Sequence, residues 1–213
     1  MKKIILAVLC LLGMTPLAEA RVIDYPGGFT VMQMNDGENN SLHTHYSLTS
    51  YYSIGYALDY WREEEWTMHS VQGAWLLKRW NETEMQANLY FRGAAGAAFS
   101  DFEDFEDEVE PAAFGILSFD AENRRLYGSY EGRYTEAGDI FDGFEQKARV
   151  GIAPYIAEYG ALHTWVMLQV DHRPESDDSL VWTPMLRFFK GDILIEIGIS
   201  DSEEVLFNAM IRF

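Results

Sequence analysis

The chain has 213 residues and a formal net charge of −18, with 34 acidic residues against 16 lysines and arginines. That balance excludes nucleic acid as a partner, because binding it needs a concentrated basic surface. One cysteine excludes an internal disulfide, and an aromatic share of 15% is more than a soluble domain needs but suits aromatic girdles at two membrane interfaces.

Lys2 and Lys3 precede an apolar run, Ile4 to Leu12, and Ala18-Glu19-Ala20 forms an A-x-A cleavage site. Residues 1–20 therefore read as a cleaved signal peptide and residues 21–213 as one mature domain. The run is too short to span a bilayer as a helix. Cys10 lies inside it, so the mature chain carries no thiol. Without the leader's Lys2, Lys3 and Glu19, 14 basic and 33 acidic residues remain, a net charge of −19.

Twelve strand-like segments follow, separated by polar breaks. The first six are Phe29–Asn35, Ser41–Leu48, Tyr52–Arg62, Trp66–Trp80, Glu84–Ala97 and Ala112–Asp120. The second six are Arg125–Thr135, Phe144–Ile156, Leu162–Arg173, Leu180–Phe189, Ile193–Ser200 and Val205–Phe213. No segment has a helical period. Leu48–Tyr51 lacks turn-forming Gly, Pro or Asn; if it is not a turn, one long strand replaces two, Arg21–Asn40 becomes a periplasmic arm, and the count falls to about ten. Pro154 and Pro184 fall within strands and require bulges or rim positions.

The last two segments carry the cleanest signal. Ile193, Ile195, Ile197 and Ile199 occupy alternate positions, as do Val205, Phe207, Ala209, Ile211 and Phe213. A period of two places one face in an apolar medium. In a sandwich that face points inward; in a membrane barrel it points outward to lipid.

The polar faces favour the barrel, because acids and bases occur on them together. Arg92, Arg125, Arg133, Lys147, Arg149, Arg187 and Arg212 can meet Glu84, Glu131, Glu145, Asp171 and Glu196 across a narrow lumen, where buried charges persist only when paired. With Phe213 periplasmic, alternate breaks face outside, and these outer breaks hold 20 of the 33 mature acidic residues. Short inner turns with longer outer loops are the habit of outer-membrane barrels.

Two clusters have metal-ligand chemistry. The loop around Asp101, Glu103, Asp104, Glu106, Asp107 and Glu108 offers hard oxygen ligands for a divalent cation, without an EF-hand pattern. His43 and His45, with Met32 and Met34 on the preceding strand, offer imidazole and thioether ligands suited to copper. Neither cluster requires a cofactor: the first also reads as a solvated loop, the second as lumen and lipid-facing side chains. Hydrolase candidates are weak, because Asp171 and His172 are adjacent and point to opposite faces, leaving His172 with Ser176 or Ser179 and no third group. Trp61, Trp66, Trp80, Trp182, Tyr51, Tyr52, Tyr155 and Tyr159 lie near strand ends, the girdle position.

A final strand that ends on Phe213 with apolar residues at alternate positions before it resembles the assembly signal of bacterial outer-membrane β-barrels. Trp75–Asn81, Gln86–Tyr90 and Thr183–Arg187 are similar to segments of an uncharacterised proteobacterial outer-membrane family. The resemblance implies a Gram-negative outer-membrane location, contact with membrane lipid and lipopolysaccharide, and recognition of Phe213 by the barrel-assembly machinery.

The expectation is an all-β chain forming one antiparallel up-and-down transmembrane barrel of twelve strands. Its lumen is charge-paired and its outer loops are acidic. It serves as a narrow channel for small polar solutes or ions, or as a non-conducting structural or cation-binding surface barrel, with a hydrolase less favoured.

Overall fold

The computed structural model describes residues 22–101, 108–158, 160–174, 176 and 179–213. The signal-peptide segment lies outside them. Twelve strands run in chain order: β1 Phe29–Asn35, β2 Asn39–Thr49, β3 Tyr52–Trp61, β4 Trp66–Asn81, β5 Gln86–Ser100 and β6 Val109–Glu122. They continue as β7 Leu126–Ala137, β8 Phe141–Ile152, β9 His163–His172, β10 Leu180–Lys190, β11 Ile193–Ile199 and β12 Val205–Arg212. Each pairs antiparallel with its chain neighbours, and β1 pairs with β12 from Thr30 opposite Arg212 to Asn35 opposite Phe207. The sheet is closed, with no free lateral edge strand.

Which way the isoleucines point distinguishes barrel from sandwich. Ile193, Ile195, Ile197 and Ile199 are 50%, 38%, 44% and 60% exposed, while Leu194 and Glu196 between them are 4% and 3% exposed. A sandwich would bury the isoleucines. Here the oily side faces outward, as lipid requires, and the chain forms a closed transmembrane β-barrel.

The strand count is twelve because Leu48–Tyr51 does turn. Tyr51 N donates to Thr49 Oγ1 at 3.2 Å, so a threonine side chain closes the bend in place of glycine. Pro154 lies beyond the end of β8. Pro184 stays within β10, facing the side on which Trp182 bonds Asp201 in both directions. Pairing with β11 begins only at Met185, so the missing N–H costs no ladder bond.

The walls are uneven in height. β4 has 16 residues and β5 has 15, against 7 in β1 and β11 and 8 in β12. Before β1, the segment from Val22 folds into the barrel end that holds Phe213, where Ile23 packs on Ala74, Leu76 and Tyr90. Ser53 Oγ donates to Val22 O at 2.9 Å, and Asp24 N donates to Ser47 Oγ at 2.8 Å.

Two tryptophans expected in the girdle are inside. Trp61 and Trp66 pair across the β3–β4 ladder, share the inward parity of Asp59 and Met68, and stack at 3.8 Å between ring centroids. Phe141 packs against both. Trp75, Trp80 and Trp182 face outward, where an indole suits the membrane interface.

Candidate functional site: the charged lumen

Inward positions of β7 to β12 bring together charges far apart in sequence. Arg187 Nε donates to Glu196 Oε1 at 2.6 Å, Arg149 Nη1 reaches Glu196 Oε2 at 3.4 Å, and Asn208 Nδ2 donates to that same oxygen at 2.7 Å. Arg149 Nε also donates to Gln169 Oε1 at 2.7 Å, and Gln169 Nε2 passes the chain to Asp171 Oδ2 at 2.6 Å. Lys147 Nζ lies 3.4 Å from Asp171 Oδ1. The Arg187 guanidinium also sits over the Tyr127 ring at 4.6 Å.

Toward the facing wall, Arg133 of β7 lies over Phe114 at 4.4 Å and Trp61 at 5.0 Å. Its Nη1 donates to Asp59 Oδ1 at 3.3 Å, and its Nε is 3.9 Å from Glu145. Asp59 also meets His43 Nε2 at 3.1 Å. Arg92 Nη2 donates to Glu131 Oε2 at 2.6 Å. At the end that holds Phe213, Arg212 lies 3.7 Å from Asp24 and 4.0 Å from Asp192.

Ten of the twelve charged residues expected in the lumen thus lie there. Glu84 and Arg125 do not: both are exposed, in the β4–β5 and β6–β7 turns. The alternation in sequence runs past the strand ends, and beyond the ladder parity no longer sets direction.

Asp36, Glu38, Asp59 and Arg173 escaped the sequence reading. Asp59 shares inward parity with Ser53 and Ala57 on β3, a signal that parity alone could have found. The other three lie in connections at the mouth opposite Phe213, where period two says nothing. There Arg173 pairs with Glu38 through Nη1, with Asp36 at 3.6 Å and with Glu145 at 3.2 Å. Burial would raise the Asp36 carboxyl, but Lys147 and Arg173 outweigh it and hold the group below the usual range. Burial pushes Glu38 up to about 7, with Asp36 and Glu63 adding to the rise, against Arg173.

His43 and His45 are both fully buried on β2, their ring centroids 6.5 Å apart. Met32 stands opposite His43 but packs on Phe189, Leu194 and Met210, while Met34 stands opposite Ser41. Among the described residues, no three His, Cys, Asp or Glu side chains converge for a metal ion. Asp101 and Glu108 are exposed; Glu103, Asp104, Glu106 and Asp107 lie outside the described residues. His172 Nδ1 meets Gln146 Nε2 at 3.1 Å and faces away from Asp171.

No protein-family model matches the chain, and no curated protein matches it. Solved structures do. A KdgM porin superposes with a TM-score of 0.52 at 7% identity, covering 87% of this chain and 98% of that one. A KdgM porin in complex with disordered oligogalacturonate gives 0.53 at 6% identity, with the same coverage. The likeness is one of fold, a closed barrel similar to that of the KdgM porins. Nearly the whole length of those chains is matched, so the likeness extends to the complete barrel and not to one hairpin set.

Proposed function

We propose that the barrel is a narrow outer-membrane pathway for water and small ions, constricted by its own ion pairs. The observation that carries this reading is a cavity of about 20 Å³ lined by Glu131, Arg133, Glu145, Lys147, Asp171 and Arg173. That is room for about one water molecule. Eight strands are filled by their own side chains and sixteen leave an open channel, so twelve strands with long charged side chains fall between. Asp59 Oδ2, Arg133 Nη2, His43 Nδ1 and His45 Nε2 are buried without a hydrogen-bond partner among the described residues, groups that a file of water would satisfy. An acidic oligosaccharide of the kind bound by the KdgM porin would meet acidic outer loops and arginines already paired. Small cations are the better match to this charge pattern.

Planar-bilayer recording of refolded protein tests the reading. Small steps with cation preference are expected, together with no swelling of liposomes in sugar solutions. A sealed structural barrel is the second reading, favoured by the Trp61, Trp66, Phe114 and Phe141 cluster near one mouth and by Ile23 wedged into the other. Silence in bilayers under all conditions would select it.

A further inference from the structure

The β1–β2 turn, Asp36-Gly37-Glu38, is drawn across the outer mouth. β12, β11 and β10 separate β1 from β9 in the wall, so a contact between their outer ends has to cross part of the opening. Arg173, the first residue after β9, makes that contact by pairing with Asp36 and Glu38 while also holding Glu145 of β8. Lys147 of β8 adds a second tie, 3.8 Å from Asp36. Arg62 N donates to Glu38 O at 2.9 Å, fixing the turn to the β3–β4 connection. A Cβ at Gly37 would fall 1.1 Å from the Glu204 carboxylate, so the turn also rests on the β11–β12 loop. Arg173 itself lines the one-water cavity.

We propose that the β1–β2 turn is a strap that closes the outer mouth, and that Arg173 is the residue that holds it down. The inference rests on the conduction reading above and assigns its regulation. Carboxylates outnumber cations around the strap. Asp36 belongs to the turn itself, Glu63 and Glu64 come from the β3–β4 connection, and Glu145 and Lys147 face it from β8. Asp171 faces it from β9, Glu204 lies against Gly37 from the β11–β12 loop, and Arg173 lies just beyond β9. Removing Arg173 leaves these carboxylates opposed chiefly by Lys147, and the strap lifts.

The same charges set the direction of any pH response. Burial of the strap against the mouth raises Glu38 to about 7, above its ordinary 4.5, and outweighs the opposing pull of Arg173. A group with a raised pKa in the closed form favours closure when protonated. The strap is therefore tightest below about 4.5 and loosens as pH rises through about 7. Asp36, held below 3.8, acts in the opposite sense only in stronger acid.

The test uses the mature chain in lipid vesicles, with a Ser41→Cys reporter. Ser41 is buried on β2, three residues past Glu38, and the mature chain has no other thiol. Labelling by an impermeant maleimide is measured relative to a free small thiol at the same pH, which cancels thiol ionisation. Protection about tenfold greater at pH 5 than at pH 8 is expected. Arg173→Ala should bring pH 5 labelling to nearly the pH 8 level, and Glu38→Gln should keep the acid-level protection at pH 8. Labelling indifferent to pH and to both substitutions overturns the strap, with folding of each variant checked by heat-modifiable gel mobility. The reporter carries no current, so a barrel silent in bilayers whose labelling still follows Arg173 and pH overturns conduction alone.

Discussion

Arg187 and Glu196 stand directly opposite each other on β10 and β11, joined at 2.6 Å and sealed from solvent on both sides. Glu196 also anchors Arg149 and Asn208, so its loss strands two guanidinium groups. Glu196→Ala should cost about 3–5 kcal/mol, the range for one partner of a buried pair. Urea unfolding of lipid-refolded protein would read this. Pairing it with Arg187→Met should recover much of the loss; a single-variant cost under about 1 kcal/mol would mean that the pair is hydrated.

Gly55 is irreplaceable for a local reason. The β2–β3 ladder opens between Thr44 and Tyr56, and Gln72 Nε2 donates into the gap to Thr44 O and Tyr56 O at 3.2 and 3.1 Å. A Cβ on Gly55 would fall 1.7 Å from Thr44 O. Gly55→Ala should abolish the heat-modifiable band. Gly115→Ala, whose nearest new neighbour lies at 3.9 Å, should fold like the parent.

Five of the six tryptophans divide into two populations. Brominated lipids should quench Trp75, Trp80 and Trp182 strongly and leave Trp61 and Trp66 bright, tested in variants retaining one tryptophan each. Trp66→Ala should also widen the lumen and raise conductance, at a cost of about 3–5 kcal/mol in stability. Equal quenching at Trp66 and Trp182 would place the stacked pair in lipid.

Phe213 closes the cylinder as well as the chain. Its N–H and C=O bond Phe29 in both directions, at 2.8 and 3.1 Å. Phe213→Ala should leave in-vitro refolding nearly intact, since those bonds are main-chain, while lowering the folded protein in outer membranes severalfold. Equal membrane levels would remove the terminal ring from the assembly signal.

Most of the wall was legible in one dimension, because a period of two survives any error in loop length. The isoleucine rows of β11 and the polar rows of β8 and β9 needed only parity. What meets inside was not legible. Asp59 and Arg133 are 74 residues apart, and their meeting depends on closure and on the register of every ladder between them. Parity failed past the strand ends, sending Glu84 and Arg125 inward, and nearness to a strand end, not parity, sent Trp61 and Trp66 to the girdle. The mouth was least readable: Arg173, Asp36 and Glu38 belong to connections, whose paths are set by the charges they meet.

The unequal strand lengths have a mechanical consequence. At about 3.3 Å per residue and a tilt of about 40°, 7 residues climb about 18 Å and 16 climb about 40 Å. An apolar band of about 25 Å overshoots the low side, where β11, β12 and β1 meet. Acyl chains must pinch inward along that seam or the cylinder must lean. The protein thus carries a built-in dent in the surrounding bilayer, on the flank where its first and last strands join.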